Sequence, residues 1–233
     1  MILIFDYFET LMHNKSMDFN RALLGFWEKH YKDKCSFEDI SAYGAQLFQH
    51  LLALHAQGLE YAFVKDELPM YAKKYGGEVI PMSPEEEADF LMKCNDMEVM
   101  PYIPDALETF TQMGIPMYVL SNSGFSSEAL SIALERFGLR KYFKQIWSSA
   151  DFGRIKPCRD FFELAIRSVL SDFPGQKRED IVFIGDTYES DVIGAAGAGI
   201  DVIWLNYKGE SNHDNLPVHC ISNTGELTQI INF

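Results

Sequence analysis

From Pro104 onward, stretches with helical periodicity alternate with short apolar runs: Met117 to Leu120, Gln145 to Ser148, Ile181 to Ile184 and Asp201 to Leu205. That alternation is the signature of a parallel sheet whose strands are joined by crossover helices. Gly114, Gly138 and Gly199 each follow a helical stretch and precede a strand or its approach, as expected of glycine just past a helix end. One more apolar run, Ile2 to Phe5, lies far ahead of the others. The residues between it and its sheet partners are therefore expected to form an insertion into an α/β fold.

The inserted segment, Lys15 to about Asp96, carries helix-period patterns and almost no strand signal. Phe19, Leu23, Trp27 and Tyr31 fall on one helical face. Ser36 can cap a second helix through Ile40, Tyr43, Leu47 and Leu51, and a third pattern through Val64, Leu68 and Tyr71 ends near Gly76 and Gly77. Ser83, Pro84 and Glu86 make a capping box with proline at the first helical position, which starts a fourth helix. An all-helical bundle is expected.

Composition narrows the function. The 233 residues, 47% of them hydrophobic, suffice for one sizeable core and a smaller second one. A formal charge of -14, with no lysine- or arginine-rich face, argues against nucleic acid and anionic membrane as partners. An acidic protein that handles an anionic substrate must neutralise its own field at the site, through a metal ion or a well-placed lysine. Cys35, Cys94, Cys158 and Cys220 show neither metal-ligand spacing nor a disulfide framework, and read as thiols of a reducing compartment. No charged leader precedes the first apolar run, and no window reaches the roughly 18 apolar residues of a membrane span, so a cytoplasmic location is expected. Nothing in the sequence sets an oligomeric state.

Three of the apolar runs hand over to polar residues at their carboxyl ends: Phe5 to Asp6, Leu120 to Ser121 and Asn122, and Ile184, through Gly185, to Asp186. Open parallel sheets bind ligands at that edge. Each residue alone could be a helix cap or turn former, so the joint arrangement carries the argument.

The stretches "IFDYFETL", "VLSNS", "GRIKP" and "IGDTYESDVIGAAGAG", in this order, resemble the four motifs of the haloacid dehalogenase superfamily, most of whose members are phosphatases. The resemblance covers the α/β part from end to end. It implies a Rossmann-like parallel sheet core of residues 1–13 and 97–233, and an inserted all-helical cap domain of residues 14–96, where the family's first class of cap sits. It further implies Asp6 as a carboxylate nucleophile, with Thr10 and Ser121 donating hydroxyl hydrogen bonds to the transferred group. Asn122 would position neighbouring groups. Lys156 would neutralise charge on the nucleophile and on a phosphoryl group, with Pro157 stiffening its turn.

In the resembled family, magnesium is held by Asp6, the backbone carbonyl of Phe8 and Asp186, while Asp191 acts through water or Lys156. Carboxylates this close raise one another's pKa unless a cation intervenes. Three of them against Lys156 and one divalent ion sum to zero, and oxygen ligands suit Mg2+. The implied reaction is hydrolysis of a small phosphorylated metabolite through an aspartyl-phosphate.

One position breaks the pattern. Phosphatases of the family carry a second aspartate two residues after the nucleophile, as proton donor to the leaving oxygen; here it is Phe8. Phenylalanine transfers no proton, so an acid/base contribution of roughly 10²- to 10⁴-fold is missing at that position. Glu9 is adjacent, but in extended chain a neighbour points the opposite way. Phe8 also resembles the metal-independent 2-haloacid dehalogenase branch, which needs no leaving-group acid but does not assemble this trio of acids. A third reading is a catalytically weak protein that binds a phosphorylated ligand. Acyl or aryl phosphates, with good leaving groups, would need little protonation. Trp27, His30, Tyr43, His50 and His55 of the inserted segment are candidates to touch substrate, against the reading that they belong to the bundle core.

Overall fold

All four residues of β1 (Ile2–Phe5) are buried, which for consecutive apolar side chains requires cover on both faces. The computed structural model, which describes residues 1–231, shows how that cover is provided. After a tight turn the chain enters β2 (Met12–Met17), then the helices α1 (Phe19–His30), α2 (Phe37–His55), α3 (Leu68–Tyr75) and α4 (Pro84–Cys94), and returns through β3 (Asn95–Val99). The remainder alternates: α5 (Ile103–Gln112), β4 (Met117–Ser121), α6 (Ser127–Arg136), β5 (Ile146–Ser148), a one-turn α7 (Ser149–Phe152), α8 (Arg159–Asp172), β6 (Ile181–Gly185), α9 (Ile193–Ala198), β7 (Asp201–Leu205), β8 (His219–Ile221) and a short α10 (Leu227–Ile230).

Six strands form one sheet in the order β5, β4, β1, β6, β7, β8, every pair parallel. Side-chain alternation divides β1 between two cores: Leu3 and Phe5 pack with Leu107 and Phe110 of α5 and Leu130 of α6, while Ile2 and Ile4 pack with Phe162 and Ile166 of α8 and Ala195 of α9. The glycines read as helix ends, Gly114, Gly138 and Gly199, have φ of 71°, 73° and 70°, a left-handed turn that side chains resist. The α/β class with parallel strands is thus observed. Strand β8 was not anticipated; its three residues carry too little apolar character to stand out.

The inserted helices have a core of their own, with Leu23, Phe26, Ile40, Leu47, Tyr71 and Phe90 among its buried members. Local capping explains their starts. The Ser36 hydroxyl accepts from the Asp39 amide at 3.1 Å, and Ser83 and Glu86 close the anticipated capping box ahead of Pro84. The expectation of an all-helical segment needs a correction at its edges, because β2 and β3 pair antiparallel as a two-stranded ribbon under the bundle. β2 shows no two-residue apolar alternation, β3 alternates only over Asp96 to Val99, and the two are partners across some eighty residues, so local pattern gave little warning. Between α2 and α3 the chain touches the α/β part directly: the Phe63 amide donates to the Gly124 carbonyl at 2.7 Å, and the Glu60 amide to that of Gly153 at 3.1 Å.

Candidate active site

Strands β4, β1 and β6 are neighbours, so their carboxyl ends bring Ser121 and Asn122, Asp6, and Asp186 to one edge. The Asp6 amide donates to the Ile184 carbonyl at 2.8 Å, extending the β1–β6 ladder by one residue and holding Asp6 at the sheet rim. Lys156 arrives from the loop before α8, through a cis peptide bond to Pro157. Asn122 clasps that loop: the Lys156 amide donates to Asn122 Oδ1 at 2.7 Å, and Asn122 Nδ2 donates to the Lys156 carbonyl at 3.2 Å. The Lys156 side chain is buried, with Nζ 2.6 Å from Asp6 Oδ1 and 2.7 Å from Asp191 Oδ1.

Asp191 lies in a π-helical turn (Tyr188–Val192) that leads into α9. Its Oδ2 accepts from the Thr187 amide at 3.0 Å, and its Oδ1 from the Ser190 hydroxyl at 3.1 Å. A Cβ at Gly185 would stand 2.4 Å from Asp191 Oδ2, so the strand must end in glycine for this carboxylate to fit. Asp186 is held through its backbone, whose carbonyl accepts from the Trp204 indole at 2.9 Å.

Electrostatics separates the three acids. One oxygen from each of Asp6, Asp186 and Asp191 lies within 4.8 Å of the others. Burial pushes the Asp6 carboxyl up to about 6, with Lys156 opposing and Asp191 adding to the shift. Burial, followed by the charges of Asp6 and Asp191, pushes Asp186 up to about 7. Burial alone would lower the Lys156 ammonium, but Asp191 and Asp6 outweigh it, and the group stays above its ordinary value. Lys156 pairs with Asp6 and Asp191 and not with Asp186. A hard-oxygen set with one acid lacking a cationic partner suits a divalent ion, and the chemistry of these donors fits magnesium.

The turn after Asp6 is tight. The Leu11 and Met12 amides both donate to the Tyr7 carbonyl at 3.0 Å and the Glu9 amide to that of Met12 at 2.7 Å, which leaves the Phe8 carbonyl out of the turn's own bonds. Glu9 is not extended, as the sequence reading assumed, but left-handed with φ of 55°. Its carboxylate accepts from His13 Nδ1 at 2.8 Å and from the Asn14 amide at 2.9 Å, so both oxygens are engaged on β2. Thr10 is fully buried and its hydroxyl has no partner among the described residues; Ser121 is fully buried too. The structure therefore gathers Asp6, Lys156, Asp186 and Asp191 by contact, and Asn122 through its clasp. It brings no side chain to the Thr10 hydroxyl.

A cavity of about 660 Å³ adjoins this edge, between the inserted helices and the loops after β1 and β4. Phe8, Asn122 and Phe125 face it from the α/β part, and Phe19, Phe48 and Phe63 from the helical part. Of the five residues singled out in the inserted segment, His55 reaches the wall, while the Trp27 indole donates to the Cys35 carbonyl and Tyr43 packs on Tyr71 and Tyr75. His30 packs on Phe26, and His50 on Tyr61. Trp204 and Glu67, which also lines the cavity, went unnoticed in the sequence, as did the steric role of Gly185. They sit inside ordinary strand and helix patterns.

A model of haloacid dehalogenase-like hydrolases matches residues 1–199. The chain belongs to this family. Among curated relatives of this haloacid dehalogenase-like hydrolase, the pyrimidine 5'-nucleotidase YjjG of Escherichia coli is 32% identical over 110 residues, covering 47% of each chain. The ribulose-1,5-bisphosphate 5-phosphatase of Halopiger xanaduensis is 26% identical over 147 residues, 58% of this chain and 59% of the relative. The chain thus spans about half the length of the curated relatives it matches. A 2-haloacid dehalogenase from Pseudomonas syringae shares the fold, with a TM-score of 0.66 at 22% identity over 100% of this chain and 99% of that one. Among the described residues of the hydrolase, no helix is long and apolar enough to cross a membrane.

Proposed function

We propose that this haloacid dehalogenase-like hydrolase is a magnesium-dependent, cytoplasmic phosphohydrolase that acts on a small phosphorylated metabolite through an aspartyl-phosphate on Asp6. The observation that carries the proposal is the ammonium of Lys156 bridging Asp6 and Asp191 while Asp186, in the same small volume, lacks a cationic partner. The names of the two curated relatives, a nucleotidase and a sugar-bisphosphate phosphatase, support phosphate esters as the substrate class.

Asp6 attacks phosphorus, an O–P bond to its carboxylate forms, and the ester oxygen leaves with the bonding pair. Water then hydrolyses the acyl phosphate and restores the carboxylate. Lys156 keeps Asp6 ionised and offsets charge on the phosphoryl oxygens, for which Ser121 and Thr10 supply hydroxyl donors. Asn122 holds Lys156 in place. Asp6, Asp186 and the Phe8 carbonyl are the ligands available to magnesium, with Asp191 acting through Lys156; the bound ion would supply Lewis-acid stabilisation of developing charge. Residues 14–96 serve as a cap over residues 1–13 and 97–233, limiting water around the acyl phosphate. With Phe8 in place of an acid, the leaving oxygen departs without a proton from that position, which favours substrates whose leaving group is stable as an anion.

Phe8 also favours a second reading, the metal-independent dehalogenase, in which Asp6 displaces halide from carbon. Three acids beside a lysine that pairs with only two of them speak against it, since a partly buried carboxylate without a counter-charge is costly. The deciding experiment compares hydrolysis of an aryl phosphate with and without magnesium against halide release from a 2-haloacid, with Asp6→Asn as the blank. Metal-dependent phosphate release is expected. Halide release without metal would overturn it in favour of the dehalogenase, and silence in both assays in favour of a phospho-ligand binder.

A further inference from the structure

The cavity beside the acidic cluster is walled by aromatic faces but contains two polar groups that the protein leaves incompletely served. Phe19, Phe63 and Phe125 follow one another along its wall, with ring centroids 6.0 Å apart for the first pair and 5.6 Å for the second. Glu67 lines the same cavity and is buried, with 7% of its surface exposed. One of its oxygens accepts from the Tyr71 hydroxyl at 3.0 Å, and the other has no partner among the described residues. Asn14 also lines the cavity: its Nδ2 donates to Asn95 Oδ1 at 2.7 Å, while its own Oδ1 is buried with no partner.

The Glu67–Tyr71 pair is built deliberately into the helices. Gly44, in the middle of α2 where glycine costs up to about 1 kcal/mol, admits it: a Cβ there would stand 2.9 Å from the Tyr71 hydroxyl. A buried Asn14 oxygen without a donor is costly, and Glu67 lines the same largely apolar cavity with one oxygen unpartnered, so the pair calls for a donor from outside.

We propose that this cavity receives the leaving group of the substrate, and that this group is a flat apolar ring carrying an amino or other N–H donor that binds Glu67 and Asn14. The proposal rests on the phosphohydrolase reading and narrows it. The volume, about 660 Å³, is that of a small-molecule site, and ring faces are the preferred neighbours of a flat ring. An amino group has two hydrogens for two acceptors, which a hydroxyl does not. Phe8 then has a second use, as an apolar wall where the ring meets the phosphoryl end.

The test uses the full chain with magnesium and two pairs of near-isosteric aryl esters: 3- and 4-aminophenyl phosphate against 3- and 4-methylphenyl phosphate, with phenyl phosphate as the reference. The expected result is a preference of about tenfold or more in kcat/KM for at least one amino ester over its methyl partner, carried mainly in KM, as for one matched hydrogen bond. Glu67→Leu should erase or reverse that preference, and Glu67→Gln, which keeps an acceptor, should keep part of it. Equal kcat/KM for both pairs with wild-type protein would overturn the proposal, as would an amino preference that survives Glu67→Leu. If phenyl phosphate itself is not hydrolysed, the phosphohydrolase reading fails separately. The cavity is then tested by calorimetric titration with the aminophenols and methylphenols, where tighter binding of an amine that depends on Glu67 supports the proposal and its absence overturns it.

Discussion

The side chain of Asn122 holds the backbone of Lys156 from both sides, accepting from its amide at 2.7 Å and donating to its carbonyl at 3.2 Å. The residue after β4 thereby fixes the height from which an ammonium group enters the acidic cluster. Asn122→Ala should leave the fold intact but slow hydrolysis of an aryl phosphate by about 10- to 100-fold, mostly in kcat, because Lys156 loses its alignment with Asp6. A normal kcat would show that the ammonium needs no such support.

Lys156→Met tests the charge balance directly. Removing one partner of a buried ion pair typically costs about 3–5 kcal/mol. Asp6 and Asp191 would then be buried with no ammonium between them, and the Asp6 carboxyl, already raised by burial, would rise further above its unfolded value. A group of that kind contributes stability that is fully present below its unfolded pKa and is lost as pH rises through the folded value. Urea denaturation of Lys156→Met should therefore show a deficit against wild type that is larger at pH 8 than at pH 5. A deficit independent of pH would mean that the lysine acts by packing alone.

Metal removal has a readout apart from turnover. Asp186, raised to about 7, is an acid whose ionisation the metal-free protein resists, so stability in the presence of a chelator should fall as pH rises from about 5 to 8. Magnesium at a hundred times its dissociation constant should restore roughly 2.7 kcal/mol, seen as a rise in melting temperature. Asp186→Asn should flatten the pH dependence and abolish the magnesium effect. A melting temperature insensitive to magnesium at pH 8 would remove the ion from the mechanism.

Phe8→Asp restores a proton donor at the place where the family's phosphatases have one. Turnover of alkyl phosphates, which are poor leaving groups, should rise by about 10²-fold if protonation limits it, while aryl phosphates should change little. Unchanged rates for both classes would put the limiting step elsewhere.

The sequence carried the α/β part well, because buried parallel strands concentrate apolar residues into runs that end abruptly at polar ones; β1 and β7 have the bounds read for them. It carried the ribbon poorly. In β2 all but Met12 and the partly buried His13 and Asn14 are exposed, and the pairing of His13 with Glu98 or Asn14 with Met97 joins parts of the chain that no local window spans. The sheet edge that carries Asp6 was legible from residue order, yet what holds it was not: Trp204 lies in a strand of the right hydrophobicity, and nothing in that pattern says its indole reaches the Asp186 carbonyl. Glu9 is placed by a left-handed turn rather than by extended alternation, and its carboxylate is engaged on β2. Among the residues of the helices, periodicity does not distinguish core from cavity wall, which is why Tyr43, packed on Tyr71 and Tyr75, and His55, on the wall, read alike.

Strand β6 ends in a residue with no side chain, and the carboxylate of Asp191 occupies the room thereby left free. The pairing of Asp191 with Lys156 consequently depends on a hydrogen atom at a position that itself carries no charge. A single added methyl group there would silence the chemistry by eviction, without altering one polar atom, so the tolerance of this enzyme to change should be lowest at a residue that no list of reactive groups would include.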